Sequence, residues 1–220
     1  MCGRFSLAVA PAELVEFFDL DEVPDFPARY NIAPSQPVAV IVQTSDEPER
    51  HFRLMRWGLI PAWAKDPAIG NRLINARAET VAEKPSFRTA FKRRRCLIPA
   101  SGFFEWQKTK AGKQPFYFRP QNEELFAIAG LWESWQEIET CTILTTAANA
   151  LLQPIHERMP VILKPEDYDQ WLNWQTQDVE ALQVLLQPFP ADQMTAYPVS
   201  KRVNNAAIDD RECIAATDLG

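Results

Sequence analysis

Short apolar runs and strict alternations dominate this chain, and helical spacing is confined to a few segments. Residues 11–18 place proline at a helix start, acids early and apolar side chains every three or four positions, which predicts a short helix. It ends before the turn-rich stretch 19–27. Strands are predicted at 38–43 and 51–57, joined by a polar segment as a hairpin-like pair. Helical spacing returns at 79–83 and 86–92, interrupted at Pro85. β-rich runs follow at 95–100, 103–107, 115–119, 125–132 and 140–145, bounded by turns such as 108–113. Two helices, 165–173 and 178–186, and a strand near 194–199 complete the pattern. Many short strands with helices segregated at their ends predict an α+β fold, a single domain over 1–220 built on a curled, mainly antiparallel β-sheet or barrel with flanking helices.

With 220 residues, 46% hydrophobic and 24% charged, the composition is that of a globular chain. No run approaches the roughly 18 apolar residues of a membrane span, and the start lacks the basic segment and apolar core of a signal peptide. A cytoplasmic protein without a membrane partner is expected. Cys2, Cys96, Cys141 and Cys213 are far apart with no CxxC pair, so no zinc site or disulfide framework is predicted, and Cys96 and Cys141 are expected to be buried. The net charge of −6 argues against coating nucleic acid indiscriminately. Arginine and lysine nevertheless concentrate between Arg72 and Arg95, as one basic face or simply as a solvated helix surface. Eighteen prolines against seven glycines suit a preformed surface more than a mobile lid.

Cys2 is the first candidate for chemistry. Removal of Met1 would give one residue a free α-amine and a thiol on adjacent carbons, a pair that closes on an aldehyde to form a thiazolidine. Otherwise it is a start codon followed by an inert cysteine. Glu105 lies in Gly102-Phe103-Phe104-Glu105-Trp106, where alternation sets Phe103, Glu105 and Gln107 on one face and Phe104 and Trp106 on the other. A carboxylate among aromatic residues is a candidate proton shuttle, or else a surface glutamate paired with a lysine of the following turn. His156 sits in a polar loop framed by Pro154 and Pro160, suited to acid–base work or to a local hydrogen bond. Asn75 precedes small residues with Glu79 four positions on, which reads as a helix cap or as an amide orienting a substrate beside the phosphate-clamping fork of Arg77. Trp57 and Trp63 flank a Gly/Pro-interrupted loop, as core residues or as platforms for unstacked bases.

Six blocks, Met1-Cys2-Gly3-Arg4-Phe5, Arg29-Tyr30-Asn31-Ile32-Ala33-Pro34, Trp57-Gly58-Leu59-Ile60-Pro61-Ala62-Trp63, Ile74-Asn75-Ala76-Arg77-Ala78-Glu79-Thr80, Pro99-Ala100-Ser101-Gly102-Phe103-Phe104-Glu105-Trp106 and Ile155-His156-Glu157-Arg158-Met159-Pro160, resemble in order and spacing the SOS-response-associated peptidase (SRAP) family, the abasic-site-processing proteins. The likeness runs over 2–205 and leaves 206–220 as a tail. It implies a compact β-rich domain, a channel for single-stranded DNA containing abasic sites, and capture of the ring-opened sugar aldehyde on Cys2 as a thiazolidine. By the same resemblance Cys2, Asn75, Glu105 and His156 are the catalytic positions, and Arg4, Pro34, Trp63, Arg77 and Thr145 lie on or beside DNA. No cofactor and no metal are implied, and a monomer is expected, nucleoid-associated when on damaged DNA. Two other readings compete: an N-terminal-nucleophile amidohydrolase of the glutaminase kind, separated by ammonia release, and a non-catalytic reader of single-stranded or modified DNA that uses the Arg77 and Trp63 surface.

Overall fold

The computed structural model describes residues 2–110 and 112–218. Among them the strands are β1 (Phe5–Leu7), β2 (Arg29–Ile32), β3 (Pro37–Val42), β4 (His51–Trp57), β5 (Asn75–Arg77), β6 (Arg95–Ala100), β7 (Gly102–Thr109), β8 (Gly112–Pro120), β9 (Phe126–Trp135), β10 (Ile138–Ala147), β11 (Arg158–Pro160), β12 (Ile162–Leu163) and β13 (Met194–Pro198). Strands β4, β3, β6, β9 and β10 pair into a closed ring. Five strands cannot close with every neighbour antiparallel, and the one parallel contact is β4 with β10. Strand β5 continues that parallel edge, while β11 and β12 pair antiparallel with β10 and β9. The second sheet, in the order β13-β8-β7-β1-β2, is antiparallel throughout.

Strand β3 is rich in β-branched residues and is buried from Val38 to Val42, the pattern of a strand covered on both faces. Only Ser101 separates β6 from β7, so the chain passes from the ring into the second sheet within one residue. Phe103 joins the main core and stacks on Phe118 at 5.4 Å. Phe104, on the opposite face, clusters with Tyr117, Val199, Val203 and Cys213. The alternation expected at 103–107 therefore divides two cores. A Cβ on Gly102 would meet Tyr117 Cζ at 2.1 Å, so glycine is what lets that ring cross the strand and its hydroxyl reach Ser6 Oγ at 2.8 Å.

The helices are α1 (Pro11–Phe18), α2 (Arg88–Arg93), α3 (Tyr168–Leu172) and α4 (Val179–Gln183), and none among the described residues is long and apolar enough to cross a membrane. Residues 79–83, predicted helical, instead form consecutive turns. The Ala78 N–H donates to Thr145 O at 2.9 Å, which ties the start of that segment to the β10 edge before a helix can begin. The basic stretch is divided between buried and exposed positions. Arg95 is buried and donates to the carbonyls of Phe91, Lys92, Trp171, Asn173 and Thr176, closing the C-terminal ends of α2 and α3, whereas Arg72, Arg77, Arg88, Lys92 and Arg93 are exposed. Cys96 and Cys141 are buried as expected.

The tail beyond residue 205 is docked. Asp209 Oδ1 accepts from the Tyr30 and Asn31 amides at 2.5 and 2.8 Å, and buried Asn31 Nδ2 donates to Val203 O, Asn205 O and Ile208 O. Strand β2 thus acts as a rail for the C-terminal segment.

Candidate active site

Phe5 pairs with Ile32 on one side and Phe103 on the other, and this anchorage of β1 holds Cys2, which is fully buried. Asn75 opens β5 opposite Ile143, so it stands in a strand and caps no helix. Its Nδ2 donates to the Cys2 carbonyl at 2.9 Å, and its Oδ1 is buried without a hydrogen-bond partner. One amide therefore fixes the backbone of Cys2 and keeps a buried acceptor beside it.

Glu105 lies on β7, 3% exposed. Burial pushes its carboxyl up to about 7. Burial first, and the Glu105 charge second, push the Cys2 thiol up, so the thiol is neutral at neutral pH and needs a base. Glu105 lies within electrostatic reach of that thiol.

His156 follows a run of turns over 150–155, braced where Asn149 Oδ1 accepts from the Leu152 amide at 3.1 Å. His156 Nδ1 is held by the Arg158 backbone, 3.0 Å from its N–H and 3.1 Å from its carbonyl oxygen. Burial holds its pKa below the usual imidazole value. Glu105 and His156 line one cavity of about 470 Å³ with Trp106, Lys108, Lys113 and Asn204. Its wall is set by Trp106 Nε1, which donates to Asn204 Oδ1 at 2.7 Å.

The remaining predicted positions divide into exposed and internal. Arg77 is exposed on β5, two residues from Asn75 and hence on the same strand face. Trp63 is 60% exposed in the turn after β4. Pro34 is half-buried and precedes Ser35, whose φ of 72° makes the tight turn into β3. Arg4 is committed inward, donating through Nη1 to Asn31 Oδ1 at 2.7 Å and Val203 O at 2.6 Å, with its guanidinium 5.9 Å from the Trp106 ring centroid. Thr145 is 2% exposed, and its carbonyl accepts from Arg158 Nη2 at 2.6 Å.

Arg158, which sequence reasoning did not single out, ties these parts together. It holds Glu79 with both terminal nitrogens, at 2.6 and 2.9 Å, while its backbone amide orients His156. Its place two residues after the histidine was the available signal. Among the described residues no group of three or more His, Cys, Asp or Glu side chains is arranged to hold a metal.

Residues 1–206 match the family model for SOS response associated peptidase (SRAP). The chain belongs to this family. A SRAP relative from Bacillus subtilis (strain 168), named abasic site processing protein YoqW, is 45% identical over 97% of this chain and 99% of its own length. YedK of Escherichia coli (strain K12), also named an abasic site processing protein, is 32% identical over 97% of this chain and 99% of its own. HMCES of Xenopus tropicalis carries the same description at 30% identity, over the whole of this chain and 79% of that protein. A crystal structure of a protein from Bacteroides thetaiotaomicron superposes with a TM-score of 0.85 at 26% identity, covering 98% of this chain and all of that one.

Proposed function

We propose that this protein processes abasic sites in single-stranded DNA by forming a covalent thiazolidine between Cys2, freed by removal of Met1, and the ring-opened sugar aldehyde. Met1 itself lies outside the described residues. The observation that carries this reading is the convergence of four groups from separate segments: Cys2 held by Asn75, with Glu105 shifted to about 7 in the same cavity as His156.

The chemistry follows from their states. Protonated Glu105, or His156 in its imidazolium form, gives a proton to the ring oxygen while the other of the two takes the C1′ hydroxyl proton, which opens the deoxyribose hemiacetal to the aldehyde. The Cys2 amine attacks C1′, and water leaves as the imine forms. Glu105 then takes the thiol proton while sulfur bonds to C1′, and the imine nitrogen gains a proton, so no oxidant or reductant is needed. Asn75 holds the terminus in attack geometry, a proximity contribution of several kcal/mol at most about ten.

Arg77, on the face that presents Asn75, is suited to a backbone phosphate, and exposed Trp63 to an unstacked base. Arg4 and Thr145 act from inside, Arg4 by bracing β1 and Thr145 by seating Arg158. Single strands are favoured because a terminus reaches C1′ only where no partner strand blocks it.

Mass spectrometry of protein incubated with an abasic oligonucleotide tests the proposal. The expected species is the chain lacking Met1 plus the oligonucleotide less one water. Cys2→Ala is expected to yield no heat-stable adduct, and the wild-type level of adduct from that variant would falsify the mechanism.

A further inference from the structure

Strands β7 and β8 continue past Glu105 as a hairpin, and in its register Lys108 faces Lys113 directly. Like charges on opposite positions of an antiparallel pair repel each other, an arrangement that weakens a hairpin unless an anion lies between them. Carboxylates are abundant in this chain, which has 29 acidic residues against 23 basic ones. Yet neither ammonium forms an ion pair among the described residues, whereas Arg29, Arg50, Arg53, Arg94, Arg158 and Arg202 all do. Both lysines are exposed, and both line the cavity that holds Glu105 and His156. The other walls of that cavity, Trp106 and Asn204, are bound to each other and offer an aromatic surface beside the two positive charges.

We propose that Lys108 and Lys113 form a phosphate clamp that holds the sugar–phosphate backbone adjoining the reacting nucleotide. The inference rests on the abasic-site reading of the cavity and adds two binding residues to it. A phosphodiester is the anion that this pair fits. It approaches from solvent with the strand and is shared by two point charges on paired strands of one hairpin. It also needs no base identity, as binding at a lesion without a base requires. Lysine ammonium groups have no planar fork to demand one geometry, so they tolerate the irregular backbone of a ring-opened site.

The test uses a single-stranded oligonucleotide with one tetrahydrofuran abasic analogue, which lacks the aldehyde and reports reversible binding alone. Binding of the full chain and of Lys108→Gln/Lys113→Gln is measured between 50 and 200 mM salt. Loss of two phosphate contacts on a single strand should lower the slope of log K against log salt by about 1.4, so the wild type loses about sevenfold more affinity than the variant across that range. Lys108→Arg/Lys113→Arg is expected to restore the slope. An unchanged slope in the glutamine variant overturns the clamp, and a fall in melting temperature with an unchanged slope assigns the lysines to hairpin stability instead. Failure of the wild-type protein to form any adduct on a genuine abasic strand would reject the parent reading, and it is read separately from the slope.

Discussion

At the α2 end of the ring, Arg95 is 2% exposed and gives its guanidinium hydrogens to five main-chain carbonyls. In the second sheet, Glu105 is 3% exposed and titrates at about 7, within the range where it can both give and take a proton. Burial is the same in both places and weakens the charged form in both, moving Arg95 down to about 10 and Glu105 up. What differs is the setting: Arg95 stays charged far above neutrality because its shifted value is still about 10, and it closes helix ends. Glu105 is left on the edge of ionisation. A buried charge is therefore no sign of function by itself, and the pH at which it changes state is the better guide.

The largest effect that would break this contrast is expected at the structural pole. Arg95→Met leaves several buried carbonyls unpaired and should reduce stability by about 3–5 kcal/mol in urea denaturation, while abasic capture by the folded fraction stays as it was. Next comes Glu105→Gln. Because the folded value of about 7 lies above the ordinary 4.5, the stabilising contribution of the neutral acid is complete below about pH 4.5 and is lost as pH rises through about 7. The glutamine variant should therefore exceed the wild type by up to about 3 kcal/mol at pH 8, the gap closing near pH 4.5. Its adduct formation should slow by roughly 10²- to 10⁴-fold, measured by single-turnover gel assay. Stability gained where catalysis is lost would mark Glu105 as the functional pole, and a variant less stable than wild type at pH 8 would erase the distinction. Gly102→Ala, pressing on Tyr117, should cost about 1–3 kcal/mol by thermal unfolding. Asn204→Ala should have the smallest effect, about 1 kcal/mol, with a change in Trp106 fluorescence as its hydrogen bond is lost.

The ring was legible from sequence because its strands are long enough to show alternation or a β-branched run. Strands β3, β4, β6, β7, β8, β9 and β10 all fall on predicted segments. Strands β1, β2, β5 and β11 were not predicted, and three of them neighbour the site. Each has three or four residues, too few for any period, and each owes its extended form to an edge offered by another strand. Asn75 shows the consequence: its local sequence is that of a helix cap, and β10 overrides it. The side chains proposed to react were legible by type, since cysteine at the second position, a glutamate among aromatic residues and a histidine between prolines are uncommon. Long-range partners were not. Nothing near Arg4 in the sequence points to Val203, 199 positions away, or near Arg158 to Glu79.

The segment before β1 and the segment after β13 are pinned together, with Arg4 gripping Val203 and β2 clasping Asp209, and this governs how the molecule can be handled. A fusion at the front would block the amine that the proposed chemistry uses. Trimming the back to residue 206, where the family match stops, would strip Asp209 from β2 and uncover the Tyr117 cluster. An affinity or fluorescent label is better inserted in the polar connection between β3 and β4, away from both ends.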